Sequence, residues 1–127
     1  MGKGNVWERD GRWHVDIFIP TARESVLDRL ASSYNTLPRI VAQKCLRVAL
    51  TSSSLQTKLV QFVPESEERW VQLWLKPETF RETETLGVSL LLSVPDLCAR
   101  AACIVPQESD AELRRLMQEF IESEEHN

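Results

Sequence analysis

The sequence VWERDGRWHVDIFIP, residues 6–20, predicts that the fold begins with a β-hairpin. Asp10-Gly11 favours a type I′ turn between two strands, because both residues tolerate a positive φ. Along residues 12–19 side chains alternate in character, so one face of the second strand carries Trp13, Val15, Ile17 and Ile19. The opposite face carries Arg12, His14, Asp16 and Phe18, and Pro20 ends the strand. We therefore expect Trp13 to point into the core.

Two helices are predicted after the hairpin. Thr21 and Glu24 have the spacing of a capping box, and apolar residues recur at helical intervals to about residue 33. A second helix follows the break at residues 35–38 and is stopped by residues 51–54; its apolar stripe is formed by Ile40, Val41, Cys45, Val48 and Ala49. Its opposite side holds Arg39, Gln43 and Arg47, with Lys44 beside them. This arrangement predicts an amphipathic helix with a cationic, solvated outer face.

The chain between residues 55 and 105 favours strands. Alternation with a period of two predicts strands at 55–63, 69–76 and 86–94, the last with the most regular pattern. Gly87 inside that last stretch suggests a bulge. The polar segment 78–85 fits an exposed strand or a long hairpin loop. Residues 97–105 fit either an antiparallel partner strand or a short helix, because alanine is a good helix former.

The C-terminal segment predicts a further helix. Ser109 and Glu112 have the spacing of a second capping box, and an apolar stripe follows, formed by Leu113, Leu116, Met117, Phe120 and Ile121. The complete pattern is ββααββββα. It predicts one α+β domain over residues 1–127, with an antiparallel sheet and helices packed on at least one face.

Composition and charge narrow the class of protein. The 127 residues are 43% hydrophobic and 27% charged, which is typical of a single globular domain. The net charge of −4 is unevenly distributed, because residues 1–64 hold nine Lys/Arg and five Asp/Glu, whereas residues 65–127 hold six and fourteen. No apolar run approaches the roughly 20 residues of a membrane span, and the first residues lack a secretory signal. We therefore expect a cytoplasmic protein that does not bind a membrane.

The sequence contains no catalytic, metal-binding or cofactor motif that we recognise. His14 and His126 complete no ligand cluster, and Cys45, Cys98 and Cys103 lack the paired spacing of a zinc site. We expect these cysteines to be reduced core residues. We expect no enzymatic activity, no metal and no cofactor.

Two groups of residues are candidates for binding. Trp70, Gln72 and Trp74 share one face of the predicted strand 69–76, and Val71, Leu73 and Leu75 form the other. Such a strand either lies centrally with cover on both sides or turns one face to a partner protein. The second group combines cations and an amide suited to phosphate contacts, and consists of Arg9, Arg12, Arg39, Gln43, Lys44 and Arg47.

These observations lead to two hypotheses about function. The first is a small acidic adaptor, chaperone or inhibitor that acts through a protein interface at Trp70, Gln72 and Trp74 and forms a homodimer. The alternative is a nucleic-acid-binding accessory protein, of viral or mobile-element origin, that uses the basic helix face at 39–47. The negative net charge favours the first, because nucleic-acid-binding domains are typically basic.

Overall fold

The fold combines a three-stranded antiparallel sheet with six helices packed against it, within the residues that the computed structural model describes, 4–108 and 111–122. The strands are β1 (Val6–Arg9), β2 (Arg12–Ile19) and β3 (Arg69–Leu75), in the order β1-β2-β3. The helices are α1 (Thr21–Ser33), α2 (Pro38–Thr51), α3 (Ser53–Gln61), α4 (Pro77–Leu90), α5 (Val94–Ile104) and α6 (Ala111–Glu122), and a 3₁₀ turn at Val105–Gln107 follows α5. The predicted α+β class is confirmed.

The hairpin has the predicted boundaries and turn. Asp10 and Gly11 both have positive φ, 55° and 77°, as a type I′ turn requires. β2 pairs with both neighbours, and its register against β3 sets Val15 opposite Leu73 and Ile17 opposite Val71. These aliphatic side chains form the inner face of the sheet, which is buried against the helices. Trp13 also points inward, as predicted, and stacks on Phe80 with ring centroids 4.1 Å apart.

Helix α2 lies at the centre of the helical layer. It contacts every other helix and also β3. The predicted apolar stripe is buried, and burial continues around the helix to include Gln43, which is 1% exposed, and Lys44, which is fully buried. The prediction of a solvated cationic face is therefore wrong at these two positions, because β3 and other helices cover that side of α2.

Most of the strands predicted after residue 54 are helices. Of the predicted strands at 55–63, 69–76 and 86–94 and the alternative strand at 97–105, only 69–76 contains a strand, β3. Residues 55–63 belong mainly to α3, where Leu55 and Leu59 are buried one helical turn apart. Residues 97–105 lie mainly in α5, so the helical alternative was correct there, and Ser93 caps that helix by accepting from the Asp96 amide at 3.2 Å.

Helix α4 includes the polar segment 78–85, predicted as an exposed strand or a long hairpin loop, and residues 86–90 of the predicted strand 86–94. Pro77 occupies the first turn of α4, and the buried positions Phe80, Thr83 and Gly87 follow a helical spacing. Gly87 is not a bulge. The chain turns sharply after Leu91, whose φ is 61°, and the Leu92 amide donates to the Gly87 carbonyl at 2.8 Å. This turn brings the Leu92 backbone directly against Gly87.

The capping box predicted at Thr21 is wrong, and the one predicted at Ser109 lies outside the described residues. Pro20, not Thr21, is the N-cap of α1, and the Thr21 hydroxyl donates to Glu68 Oε1 at 3.1 Å. Ser109, His126 and the side chains of Glu24 and Leu113 lie outside the described part of the chain.

In the described ranges no single helix has the length and apolar character of a membrane span. Pro77–Leu90 and Val94–Gln107 meet the length and composition criteria only as a pair bent by 92°.

Replacement of Gly87 tests the tight turn that ends α4. A Cβ at this position would lie 2.5 Å from the Leu92 carbonyl oxygen, which is backbone and can move only by displacing the turn. Gly87→Ala should therefore destabilise the domain by about 1–3 kcal/mol, although alanine is the better helix former. Urea unfolding measures this, with Ser89→Ala on the exposed side of the same helix as the control. An unchanged or raised midpoint for Gly87→Ala would contradict the close approach.

The cysteines should be inert in the folded protein. Cys45, Cys98 and Cys103 are free thiols and are all buried. Burial raises the pKa of Cys45 and raises those of Cys98 and Cys103 to about 12, so reactive thiolate is scarce at mildly alkaline pH. We expect an aromatic disulfide reagent to label all three only after denaturant is added. Rapid labelling of the native protein would show that this part of the core opens.

Candidate functional site

The side of the sheet away from the helices carries a cluster of aromatic and polar residues. We call it the outer face; its residues are Trp7, Arg9, Arg12, His14, Asp16, Phe18, Trp70, Gln72 and Trp74. Their placement follows from strand alternation, because every second side chain points to this side. The register pairs His14 with both Trp7 and Trp74, Asp16 with Gln72, and Phe18 with Trp70. Trp70 and Trp74 remain 55% and 40% exposed.

Four side chains form a row across the three strands. Trp7 stacks on His14, with ring centroids 5.4 Å apart and an interplanar angle of 14°. His14 in turn contacts Trp74 in a tilted arrangement at 5.5 Å. The Arg39 guanidinium, which reaches over from α2, lies 3.9 Å from the centroid of the Trp74 ring, a cation–π contact. These contacts occupy one ring face of Trp7 and one of Trp74, and fix the positions of both indoles.

A hydrogen-bond network connects the row to Trp70. The Asp16 carboxylate accepts from Trp70 Nε1 at 2.9 Å and from Gln72 Nε2 at 3.1 Å, both at Oδ1. Gln72 Oε1 accepts from Trp74 Nε1 at 2.7 Å, and His14 Nδ1 lies 3.3 Å from the same oxygen. Trp70 and Trp74 therefore have their indole N–H groups satisfied within the chain. What these two side chains expose to solvent is apolar ring surface.

The free edge of β3 is partly closed by α2. Gln43 Oε1 accepts from the backbone amide of Trp74 at 2.8 Å and lies 3.5 Å from an Arg39 nitrogen. Gln43 Nε2 is buried and has no hydrogen-bond partner among the described residues. Because a helix side chain occupies the edge amide at Trp74, an added strand cannot pair there without displacing Gln43.

The six residues of the predicted nucleic-acid site do not form one surface. Gln43 and Lys44 are buried, and the Arg47 guanidinium lies 4.2 Å from the Phe120 ring centroid on α6. The other three, Arg9, Arg12 and Arg39, adjoin the aromatic row. Trp70, Gln72 and Trp74 do share one face, as predicted, and Trp70 and Trp74 are 55% and 40% exposed, with Arg39 covering one face of the Trp74 ring. Interior cover of these rings, one of the two alternatives, is therefore wrong.

Sequence reasoning missed the contributions of Trp7, His14 and Asp16. His14 and Asp16 were placed on the side of β2 opposite the core, but their contacts with β3 depend on a pairing between residues more than fifty positions apart. Trp7 could have been assigned from the hairpin register alone, because a two-residue turn sets it opposite His14.

A second surface feature is a groove of about 920 Å³ between α2, α4 and α6. Its lining includes Arg47, Glu78, Arg81, Glu82 and Phe120. Both signs of charge line it, largely on exposed side chains, so it favours no class of ligand. Over residues 4–108 and 111–122, no three His, Cys, Asp or Glu side chains are grouped as metal ligands. We therefore assign the candidate site to the outer face.

Removal of the Asp16 carboxylate tests whether the network supports the outer face. Asp16 is buried and accepts two hydrogen bonds, and such bonds to a charged group contribute about 1.5–3 kcal/mol. Asp16→Ala should therefore lower the free energy of unfolding by about that amount and shift the emission of Trp70. Asp28→Ala, an exposed carboxylate on α1, should change stability by less than about 0.5 kcal/mol. Equal effects of the two substitutions would contradict the role of the network.

Comparison of the chain with protein-family models, with curated proteins and with solved structures gave no match. The function of the outer face is therefore inferred from its geometry and charge.

Proposed function

We propose that this chain is a small cytoplasmic adaptor, chaperone or inhibitor, without enzymatic activity, that binds another protein through the outer face. The observation that carries the proposal is the exposure of Trp70 and Trp74 on an ordered surface. Large aromatic rings are costly to leave in water, and exposed apolar patches of this kind mark interaction sites. Tryptophan is also enriched among the residues that dominate binding energy at protein interfaces.

The ordering of the face supports a binding role. Trp70 and Trp74 are held by hydrogen bonds from their indole nitrogens, and Trp74 also contacts His14 and Arg39. A preorganised side chain loses little conformational entropy when a partner covers it. Because the polar groups beneath the rings are already paired with each other, a partner can bury this surface without leaving them unsatisfied.

A protein partner is favoured over nucleic acid because tryptophan ring faces are already covered and because two of the polar residues of α2 are buried. Single-stranded nucleic acids bind by stacking bases on open ring faces. Here Trp7 is stacked on His14, and Trp74 is covered on one face by Arg39. Gln43 and Lys44, half of the helix group proposed for phosphate contacts, are buried.

A paired substitution tests the proposal. Trp70→Ser combined with Trp74→Ser should leave the domain folded, because both rings are exposed. The loss in free energy of unfolding should be well below the roughly 3–5 kcal/mol that removal of a buried tryptophan costs. The variant should fail to capture the protein partner that the unmodified chain retains from its host extract, as identified by mass spectrometry after nuclease treatment. Val88→Ser, which removes a side chain 77% exposed on α4, should retain that partner.

The same paired variant also tests self-association and the nucleic-acid hypothesis. A homodimer through the outer face would appear in sedimentation as a dimer that the paired substitution converts to a monomer. Capture that disappears on nuclease treatment would favour the nucleic-acid hypothesis. Unchanged capture by the paired variant would contradict the proposed surface.

A further inference from the structure

The outer face is uneven in charge. Arg9 and Arg12 are directly paired across the hairpin, on the same side of the sheet as the aromatic row. Arg12 is the diagonal neighbour of Trp74, because His14, two residues further along β2, is the direct partner of Trp74. Arg39 lies on the Trp74 ring itself. Three guanidinium groups therefore adjoin the Trp74 end of the outer face.

These cations are poorly compensated within the described chain. Like charges directly opposite each other on a sheet are destabilising, as Arg9 and Arg12 are. The ion pair of Arg9 is with Asp10 at 3.7 Å, and both side chains are highly exposed, so the pair contributes little. Among the described residues no carboxylate lies within ion-pair distance of Arg12 or Arg39.

Arg39 is the most constrained of the three. It is half-buried, and this burial lowers the pKa of its guanidinium. Its hydrogen-bond acceptor in the described chain is the neutral amide of Gln43, at 3.5 Å. A guanidinium held in this position presents donors that match a carboxylate in geometry and charge.

The carboxylate on the outer face cannot supply that charge. Asp16 is buried, and its Oδ1 already accepts from Trp70 and Gln72. Glu8 lies on the opposite side of β1, because its partner in the register is the inward-pointing Trp13. Within residues 4–108 and 111–122, no carboxylate therefore complements Arg12 and Arg39, and an acidic ligand would do so.

We infer that the segment bound at the outer face is acidic, with its carboxylates on Arg9, Arg12 and Arg39 and its apolar side chains on Trp70 and Trp74. This inference rests on the proposed protein-binding function and names the chemistry of the partner. Attraction between the carboxylates of the segment and the arginines at the Trp74 end of the outer face orients the segment, and burial of its apolar side chains against the indoles supplies apolar contact.

Selection from a random peptide library displayed on phage, with the full chain as target, tests the inference. Selected peptides should be enriched in Asp and Glu over the unselected library and should also contain apolar residues. One selected peptide, synthesised with a fluorescent label, is then titrated by anisotropy. Arg12→Gln with Arg39→Gln should weaken its binding by about tenfold or more. Added NaCl should also weaken the binding to the unmodified chain.

Two further variants make the result specific. Arg81→Gln removes an exposed arginine on α4, away from the sheet, and should bind the peptide as the unmodified chain does. Arg9→Gln with Arg12→Gln leaves Arg39 on Trp74, and should still weaken binding severalfold. This second pair excludes the explanation that loss of Arg39 only displaces the Trp74 ring.

The outcomes distinguish failure of the inference from failure of the proposed function. Selected peptides that are neutral or basic, and that require Trp70 and Trp74 but not the arginines, would overturn the acidic partner and leave protein binding at the face in place. Absence of selection, or selection that is unchanged by Trp70→Ser with Trp74→Ser, would overturn both. Binding of labelled oligo(dT) that requires Arg12 and Arg39 and competes with the peptides would replace the acidic segment by a phosphate backbone. Self-association lost in the arginine variants would replace it by a second copy of the chain.

Discussion

The antiparallel pairing of β2 with β3 is the constraint on which the rest of the structure depends. It sets aliphatic residues such as Val15 and Leu73 together on the inner face, and His14 and Trp74 together on the outer face. Because side chains alternate with a period of two, a slip of one residue would exchange the two sets. Aliphatic side chains would then meet water, and the polar ones would enter the core. Burial of the inner face therefore determines the composition of the outer face as well.

Helix α2 connects the core to this surface. Because the other helices and β3 all contact it, the Gln43 side chain lies in the interior, where its Oε1 is available as an internal acceptor. Gln43 accepts from the amide of Trp74, and Arg39, one turn earlier, covers the ring of the same residue. A single residue of β3 is thus held both by its backbone and by its side chain. The position of Trp74 is consequently a property of the helical layer as much as of the sheet.

The outer face combines internal satisfaction of hydrogen bonds with an imbalance of charge. Asp16 and Gln72 pair the indole N–H groups, which leaves apolar ring surface exposed. At one end, Arg12 of β2 and Arg39 of α2 have no carboxylate within ion-pair distance among the described residues. Apolar contact and orientation by charge are separable contributions to binding, since the first is set by burial and the second by Coulomb attraction that salt screens.

Local interactions allowed the sequence by itself to determine the hairpin, the two faces of β3 and the presence of α1, α2 and α6. The Asp10-Gly11 turn, for example, needs only the positive φ that these two residues tolerate. The alternation at 86–94 was misleading, because Leu86 and Leu90 also lie one helical turn apart, and the tertiary structure formed a helix that buries Phe80 and Gly87. Likewise, charge and periodicity placed Gln43 and Lys44 outside, whereas β3 and the surrounding helices enclose them. The outer face likewise depends on tertiary packing, since its contacts join β1, β2, β3 and α2. Periodicity records which side of an element is apolar, but only the packing of distant elements decides how many sides are covered.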